Sequence, residues 1–223
     1  MPAITVRWRR NDRAKRFILR VPTAGDEPVL TVPRGMSMGH ARAFLLANED
    51  WLRERVAKRG GRVPVGIGTV LPYAGEDVRV VSAKARRTEL ADGELRVHGP
   101  VERAGHRAMA FLKEAARDRL LERSRFYATQ VNRKVNAITL RDTRSRWGSC
   151  SSNGKLMYSW RLIMAPPDVL DYVAAHEVAH LVEMNHSRRF WDLVHRLEPD
   201  CQGPRDWLRK NGGQLHRWEF TAA

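Results

Sequence analysis

The sequence predicts an α+β fold, with a β-rich N-terminal module over residues 1–100 and a second domain over residues 101–223. In the first hundred residues, short runs of alternating apolar and polar residues are separated by Gly, Pro, Asn and Asp, a pattern that is typical of strands. The second domain begins with a long stretch of helix-forming residues and later has apolar residues three and four apart, as on one helix face. Strands followed by helices are the order expected of an α+β protein.

The N-terminal module is predicted to combine six strands with one helix. Asn11 and Asp12 supply a turn between the first two strands, and Asp92 and Gly93 supply another before the last. The predicted strands span residues 4–10, 16–22, 28–32, 69–73, 77–82 and 94–98, and the predicted helix spans residues 38–58. Because this module has no catalytic motif, we expect it to act either as a scaffold or as a substrate-binding accessory.

The second domain is predicted to be mainly helical, with strands placed before its central helix. The predicted helices span residues 101–132, 168–182, 187–196 and 205–210, and the predicted strands span residues 138–140 and 155–163. Pro166, Pro167 and Asp168 mark the start of the central helix. If residues 155–161 form the edge of a sheet, their unpaired backbone groups would hold an extended peptide by strand addition.

The central helix carries the sequence HEVAH over residues 176–180, and His186 follows. Residues four apart share a helix face, so His176 and His180 are predicted to direct their rings to one metal ion. His186 requires a turn near Asn185, since asparagine tolerates the left-handed conformation that ends many helices. Three protein ligands leave a fourth position for water, which is the arrangement of a catalytic zinc site. The sequence therefore predicts Zn2+ bound by the three histidines.

Glu177 is predicted to be a general base. It flanks the same cleft but lies round the helix from both histidines, so it is placed to move a proton and not to bind the metal. Two other carboxylates compete with His186 for the third ligand position. Glu198 is an alternative ligand, and Glu183 is expected to be a supporting or salt-bridging group. The two cysteines of the chain form no CxxC pair, which argues against a structural zinc site.

Further motifs surround this histidine run in an order that is known from one family. They are RWGSCSS at 146–152, WRL at 160–162, PP at 166–167, DYV at 171–173, RFW at 189–191, VPRG at 32–35 and DWL at 50–52. With these motifs the chain resembles the YgjP-like metal-dependent hydrolases, and its HExxH helix is similar to that of the SprT-like and WLM proteases. The resemblance implies a zincin-like C-terminal domain with an HExxH active-site helix. It also implies zinc on His176, His180 and His186, with Glu177 as base.

Charge and arginine positions bear on the substrate. The chain has 40 Lys and Arg against 25 Asp and Glu, a formal net charge of +15, which predicts attraction to polyanions. Arg144, Arg146, Arg161 and Arg188 flank the histidines in sequence. They are candidate substrate-binding residues, because guanidinium groups bind phosphate and stabilise negative charge. Arg146 and Arg161 have a structural alternative, which is pairing with a carboxylate such as that of Asp171 or stacking on Trp147 and Trp160.

Three functions therefore remain open. The HExxH motif favours a zinc metallopeptidase that uses a metal-activated water and a glutamate base. The flanking arginines favour a nucleoside-triphosphate (UTP-type) pyrophosphohydrolase, an activity that the family resemblance also includes. The third alternative is a nucleic-acid-associated protein with a non-catalytic metal site, in which Glu177 would have no role. The expected partners are a peptide, protein or nucleotide substrate and, through the basic surface, nucleic acid.

The protein is expected to be cytoplasmic and to make no membrane contact. No apolar stretch approaches the ~20 residues of a membrane span, and the N-terminus lacks the apolar segment of a secretory signal. The two cysteines provide no disulfide framework, which fits a reducing compartment.

Overall fold

The computed structural model of the protein describes residues 3–22, 27–58, 61–84 and 86–220. The chain forms two compact units, Met1–Arg62 and Val63–Ala223. Helices and several small sheets make the fold a mixture of α and β structure. The boundary predicted at residue 100 was placed by where the catalytic motif lies in the sequence. The division at residue 62 instead reflects which residues pack against one another. The strands between residues 70 and 97 share one hydrophobic core with the helices of the C-terminal part.

The first unit is a small three-stranded sheet with two helices. Its strands are β1 (Arg7–Asn11), β2 (Ile18–Arg20) and β3 (Val29–Pro33), and its helices are α1 (Met38–Ala47) and α2 (Glu49–Lys58). β3 lies in the centre, parallel to β1 and antiparallel to β2. Leu30, Val32 and Ala41 form its buried core, and the ring of Phe17 stacks on that of Phe44 at its margin, with 5.1 Å between the centroids. Burial of this one apolar cluster holds α1 on the sheet.

The single helix predicted over residues 38–58 is interrupted at Asn48. The side-chain amide of Asn48 donates to the carbonyl of Phe44 at 2.8 Å, and its backbone N–H donates to the carbonyl of Leu45 at 3.2 Å. Asparagine competes in this way with regular helical hydrogen bonding. The prediction of one continuous helix is therefore wrong, because α1 ends here and α2 begins at the next residue.

The second unit carries the remaining elements. Its helices are α3 (Ala104–Gln130), α4 (Pro167–Ala179), α5 (Arg188–Leu197) and α6 (Gln202–Asn211). Its strands are β4 (Val63–Pro64), β5 (Val70–Tyr73), β6 (Glu76–Ser82), β7 (Glu89–Ala91), β8 (Glu94–Val97), β9 (Ala137–Arg141), β10 (Gly148–Cys150), β11 (Lys155–Ser159) and β12 (Trp218–Glu219). They form a four-stranded sheet in the order β5-β6-β8-β7, a three-stranded sheet in the order β10-β11-β9, and the pair β12-β4.

α3 is the 27-residue helix around which the second unit is built. Ala108, Leu112, Ala116 and Leu120 recur every four residues and are fully buried, so they form one apolar stripe along the helix. The helix packs against α4 and against the short 3-10 helix Trp160–Met164. α4, which carries the histidine run, is therefore supported by the largest element of the core.

The sheet beside α4 differs from the predicted one. β11 pairs with β10 on one side and with β9 on the other, so it is the central strand. The prediction that residues 155–161 form a sheet edge is wrong, because residues 137–141 and 148–150 both pair with this segment. The edge strand that contacts α4 is β10. The strand also ends at Ser159, and residues 160–164 form the 3-10 helix.

The helices of the second unit begin close to the predicted positions. α4 has Pro167 in its first turn, where a proline loses no helical hydrogen bond. α5 begins after Ser187, whose hydroxyl accepts from the backbone N–H of Phe190. None of the helices in the described ranges is both long and apolar enough to cross a membrane.

Candidate metal centre

His176, His180 and His186 meet at the C-terminal end of α4. One nitrogen of each imidazole lies within 4.8 Å of those of the other two. The Nε2 atoms of His176 and His186 are 3.1 Å apart. His176 lies in the last turn of α4 and His180 follows its last residue, so the helical spacing places both rings on one side. The predicted ligands are thus brought together although His186 lies outside the helix.

The chain reverses direction between His180 and His186. α4 ends at Ala179, three residues before the predicted end, and a tight turn follows. The side-chain oxygen of Asn185 then accepts from the backbone N–H of Ser187 at 3.1 Å, just before α5 begins. Asparagine side chains commonly stabilise turns in this way. The turn returns His186 to the other two rings.

The orientation of His180 is set by a backbone carbonyl. Its Nδ1 lies 3.0 Å from the carbonyl oxygen of Glu183 and donates to it in the tautomer that leaves Nε2 as a lone-pair donor. Metal-bound histidines are typically oriented by such a second hydrogen bond. Glu183 therefore contributes to the site through its main chain, where the sequence had indicated only its carboxylate.

The surroundings of His176 and His180 favour the neutral imidazole, which is the form that binds metal. Burial lowers the pKa of His176 to about 3, and nearby positive charge, including that of Arg205, acts in the same direction. Burial also lowers the pKa of His180. The Nδ1 atom of His176 is buried without a hydrogen-bond partner among the described residues. Three imidazole nitrogens within 4.8 Å of one another fit a divalent metal that accepts imidazole ligands.

Aromatic rings of α5 cover the histidine cluster. Phe190 is fully buried and stacks on His180, with ring centroids 4.4 Å apart. Trp191 stacks on His186 with a centroid separation of 5.8 Å. Such ring contacts limit the rotation of the imidazoles. The RFW motif of α5 therefore has a place in the site that the sequence did not assign to it.

Glu177 is buried beside the histidine cluster on the same helix. Its side chain is 5% exposed, and the Oε2 atom has no hydrogen-bond partner among the described residues. Burial raises the pKa of this carboxyl to about 8, and the positive charge of Arg146 opposes that rise. A carboxyl with so strongly shifted a pKa is a candidate for proton transfer.

Gly148 of β10 touches the carboxylate of Glu177. A Cβ atom at this position would lie 2.5 Å from Oε1 and 2.7 Å from Cδ of Glu177. Only glycine therefore lets the edge strand approach the carboxylate so closely. Sequence reasoning placed Gly148 in a family motif without a role, and only the spatial neighbour of the glycine explains why no larger residue fits.

Glu198, the alternative third ligand, lies away from the histidines. Tyr127 of α3 donates a short hydrogen bond from its hydroxyl to Oε2 of Glu198. Arg123 donates to the hydroxyl of Tyr127 at 2.9 Å and pairs with Asp171 of α4 at 3.0 Å. This network joins α3, α4 and the end of α5. Within the described ranges, the group of potential ligands contains the three histidines without Glu198.

The four candidate arginines have different surroundings. Arg161 is 7% exposed and bonds Asp142 at 2.6 Å, so it pairs with a different carboxylate from the suggested Asp171. Arg188 has a side chain that is 95% exposed. Arg146 is exposed but acts electrostatically on Glu177, and Arg144 is exposed and acts on the Asp142 carboxyl. Of the four, Arg146 acts on Glu177, a residue of the candidate site.

The sequence model of the YgjP-like family, described as a metallopeptidase domain, matches residues 15–211. The chain belongs to the YgjP-like family. The match confirms the resemblance that the motifs suggested, and it covers most of both compact units. No curated protein and no solved structure matches the chain. Membership in the YgjP-like metallopeptidase family, together with the three-histidine cluster, supports a metal-dependent hydrolase.

Proposed function

We propose that this YgjP-like protein is a zinc-dependent peptidase. The observation that carries the proposal is the convergence of three imidazole nitrogens within 4.8 Å, on the helix that also carries the buried carboxyl of Glu177. In this proposal, the zincin-like catalytic part corresponds to residues 101–223 and α4 is the active-site helix. The site is peptidase-like because the sheet edge β10 lies beside the proposed base.

His176, His180 and His186 would hold the metal. Their imidazole nitrogens would provide three ligands of the type that zinc prefers and would leave one tetrahedral position open. A bound zinc ion would supply a water molecule with a pKa lowered towards ~7 and would polarise the scissile carbonyl. The hydrogen bond from His180 to the carbonyl of Glu183 and the ring stacking by Phe190 would keep the ligands in place.

Glu177 would move the proton. Its carboxylate would accept a proton from the attacking water and would pass it to the nitrogen of the leaving amine. The position of this carboxylate depends on Gly148, because a residue with a Cβ atom at position 148 would overlap Oε1 of Glu177. Burial beside the strand would exclude competing water from the carboxylate and would keep it directed at the site.

β10 would bind the peptide through its backbone. The residues on either side of β10 bond to the ends of β11. The backbone N–H of Ser159 donates to the carbonyl of Trp147 at 2.8 Å, and the backbone N–H of Ser151 donates to the carbonyl of Lys155 at 3.0 Å. In an antiparallel ladder the residues between hydrogen-bonded pairs direct their backbone groups outward. Gly148 and Cys150 therefore present N–H and C=O groups at the free edge, where an extended peptide can add as a further strand.

The arginine positions support peptide over nucleoside triphosphate as the substrate. A phosphate cradle needs several guanidinium groups directed at one point. Arg161 is instead used inside the fold, and Arg188 is exposed to solvent. Arg146 acts electrostatically on Glu177 and is suited to stabilising an oxyanion.

The test compares the zinc-loaded protein with Glu177→Gln prepared identically. We expect the wild-type protein to cleave an unfolded, fluorescently labelled protein substrate, and the variant to lose at least 100-fold in turnover, since a general base contributes 10²–10⁴-fold. Pyrophosphate release from a panel of nucleoside triphosphates, dependent on Glu177 and without peptide cleavage, would contradict the proposal and support the pyrophosphohydrolase.

Metal content tests the ligand set separately. We expect His176→Ala, His180→Ala and His186→Ala to lose near-stoichiometric zinc, while Glu198→Ala retains it. Retention of zinc in His186→Ala with its loss in Glu198→Ala would show that the third ligand is the glutamate. Stoichiometric zinc without any Glu177-dependent hydrolysis would instead support the non-catalytic metal site.

A further inference from the structure

Arg205 lies next to the histidine cluster, although none of the sequence motifs includes it. It belongs to α6, which packs against α4. The guanidinium carbon Cζ of Arg205 lies over the ring of Trp191, 4.5 Å from its centroid. Trp191 in turn contacts His176 and His186, with 5.8 Å between the ring centroids in each pair. One indole ring therefore links this guanidinium group to two of the proposed metal ligands.

The charge of Arg205 acts on α4 at the histidine cluster. Burial is the largest cause of the lowered pKa of His176, and the charge of Arg205 adds to it. Burial raises the pKa of Tyr172, and the charge of Arg205 opposes that rise. The rings of Tyr172 and His176 lie one helical turn apart, with 5.9 Å between their centroids. The guanidinium group is thus close to the face of α4 that carries both rings.

Arg205 has no acidic partner within the described ranges. Its side chain forms no ion pair with a described Asp or Glu, and the neighbouring Asp206 pairs instead with Arg209 at 3.1 Å. The side chain of Arg205 is exposed to solvent. The cation–π contact with Trp191 uses none of its N–H groups, so these donors are available to an anion. A guanidinium group held in this way is suited to bind a carboxylate with two parallel hydrogen bonds.

Arg205 and β10 approach the histidines from different sides of α4. Gly148 of β10 touches Glu177, whereas Arg205 acts on His176. Successive residues of an α-helix project about 100° apart, so the strand and the guanidinium group flank the site. An extended peptide advances about 3.3 Å per residue. Because only one indole ring separates Arg205 from the histidines, a carboxylate that reaches it belongs to a residue close to the scissile bond.

We propose that Arg205 is a specificity-determining residue, whose guanidinium group binds a carboxylate on the substrate residue next to the scissile peptide bond. The proposal rests on the proposed peptidase function and names a substrate class for it. Two carboxylates have this chemistry, the free C-terminal carboxylate of a peptide and the side chain of Asp or Glu. A peptide with neither forgoes the charge-assisted hydrogen bonds to Arg205 and so binds more weakly.

The first experiment measures peptide binding without turnover. Full-length, zinc-loaded Glu177→Gln is titrated by fluorescence anisotropy against three labelled tetrapeptides that differ only at the last residue. They end in glutamine with a free carboxylate, in glutamine amide and in glutamate amide. We expect the first or the third peptide to bind at least tenfold more tightly than glutamine amide. Preference for the first peptide identifies the terminal carboxylate, and preference for the third identifies the side chain.

Arg205→Gln in the same background should remove this preference. Binding of the preferred peptide should weaken at least tenfold, while binding of glutamine amide stays unchanged. Arg205→Lys should restore part of the difference, since lysine keeps the charge without the two-pronged geometry. Arg209→Gln is the matched control, because it removes the same charge from the same helix at a side chain that is 74% exposed. It should keep the full preference. Thermal unfolding of each variant checks that the fold is intact.

Turnover separates substrate binding from a role in the reaction step. With Glu177 intact, Arg205→Gln should raise KM for the preferred peptide at least tenfold and leave kcat unchanged. Equal binding of the three peptides, including no binding of any, would overturn the proposal, and so would a fall in kcat for all three.

The binding and turnover measurements also keep this proposal distinguishable from the proposed function. Carboxylate-dependent binding without cleavage by the wild-type protein would contradict the peptidase and leave the carboxylate site in place. Cleavage that is indifferent to the carboxylate would contradict the role of Arg205 alone.

Discussion

Glu177 and Arg161 are the two charged side chains that are buried within the described ranges, and they are buried in opposite ways. Arg161 has partners for its donor groups. Its Nε and Nη2 atoms donate to the Asp142 carboxylate at 2.6 and 3.0 Å, and Nη1 donates to the carbonyls of Leu215 and Trp218 at 2.8 and 3.1 Å. Glu177 keeps one carboxyl oxygen without any described partner.

This difference indicates that Arg161 has a structural role, whereas Glu177 has a role in the reaction. A buried charge with a full set of hydrogen bonds ties distant segments together, and here it joins the 3-10 helix at 160–164 to Leu215 and Trp218. A buried carboxyl without partners costs free energy, and such a group is typical of an active site. Four changes test whether Arg161 and Glu177 differ in this way.

The largest expected effect is on catalysis by Glu177→Gln. Glutamine keeps the shape of the side chain but cannot accept the proton, so turnover should fall by 10²–10⁴-fold, roughly 3–5 kcal/mol in activation free energy. The free energy of unfolding should stay nearly the same, because Oε2 of Glu177 makes no hydrogen bond to a described residue that the substitution could remove. Urea unfolding alongside the peptide assay measures both. A large loss of stability would show that Glu177 is a structural charge like Arg161.

Arg161→Ala should show the reverse pattern. Removing the guanidinium leaves two carbonyls and one carboxylate without their donor, and we expect the free energy of unfolding to fall by roughly 2–4 kcal/mol. Arg188→Ala is the matched control, since its side chain is 95% exposed and should change stability by less than about 0.5 kcal/mol. Normal stability with lost peptide turnover in Arg161→Ala would place this residue in substrate binding.

Acid sensitivity near Arg161 is the third expected effect. Burial and the positive charge of Arg161 lower the pKa of His216 to about 4, so the 3.9 Å contact of His216 with Asp142 is not an ion pair at neutral pH. The folded state then binds fewer protons than the unfolded state, whose histidine titrates near 6.5. The contribution of His216 to the free energy of unfolding is therefore fully present above about pH 6.5 and is lost as the pH falls towards 4.

His216→Gln isolates that contribution from the other histidines. Between pH 7 and pH 5 the wild-type protein should lose up to about 2 kcal/mol more unfolding free energy than the variant does. Urea unfolding at both pH values gives the difference. Identical pH dependence of the two proteins would mean that His216 gains a partner for its proton in solution.

The smallest effect is expected from Gly148→Ala. The added Cβ would displace the carboxyl of Glu177, and we expect peptide turnover to fall about tenfold while zinc content stays stoichiometric. Gly203→Ala is the control, because a Cβ there meets no atom within 4 Å and the residue lies in α6. Unchanged turnover in Gly148→Ala would show that the position of Glu177 does not depend on β10.

Much of the fold was predictable from local pattern. The starts of α4 and α5 and the strands near residues 70, 78 and 94 were close to the predicted positions, because turn residues and apolar spacing act over a few residues. The break at Asn48 and the early end of α4 were missed, since each depends on hydrogen bonds that end a helix where apolar spacing continues.

The sequence by itself determined the family and the convergence of two histidines, since the four-residue spacing on a helix is a local property. Only the tertiary structure decided the rest of the candidate site. The proximity of His186 to the other rings, the engagement of Glu198 by Tyr127, the contact of Gly148 with Glu177 and the use of Arg161 inside the fold all join residues far apart in sequence. Such contacts depend on how α3, α4 and β10 pack, and packing is a property of the whole core that spacing along the chain does not specify.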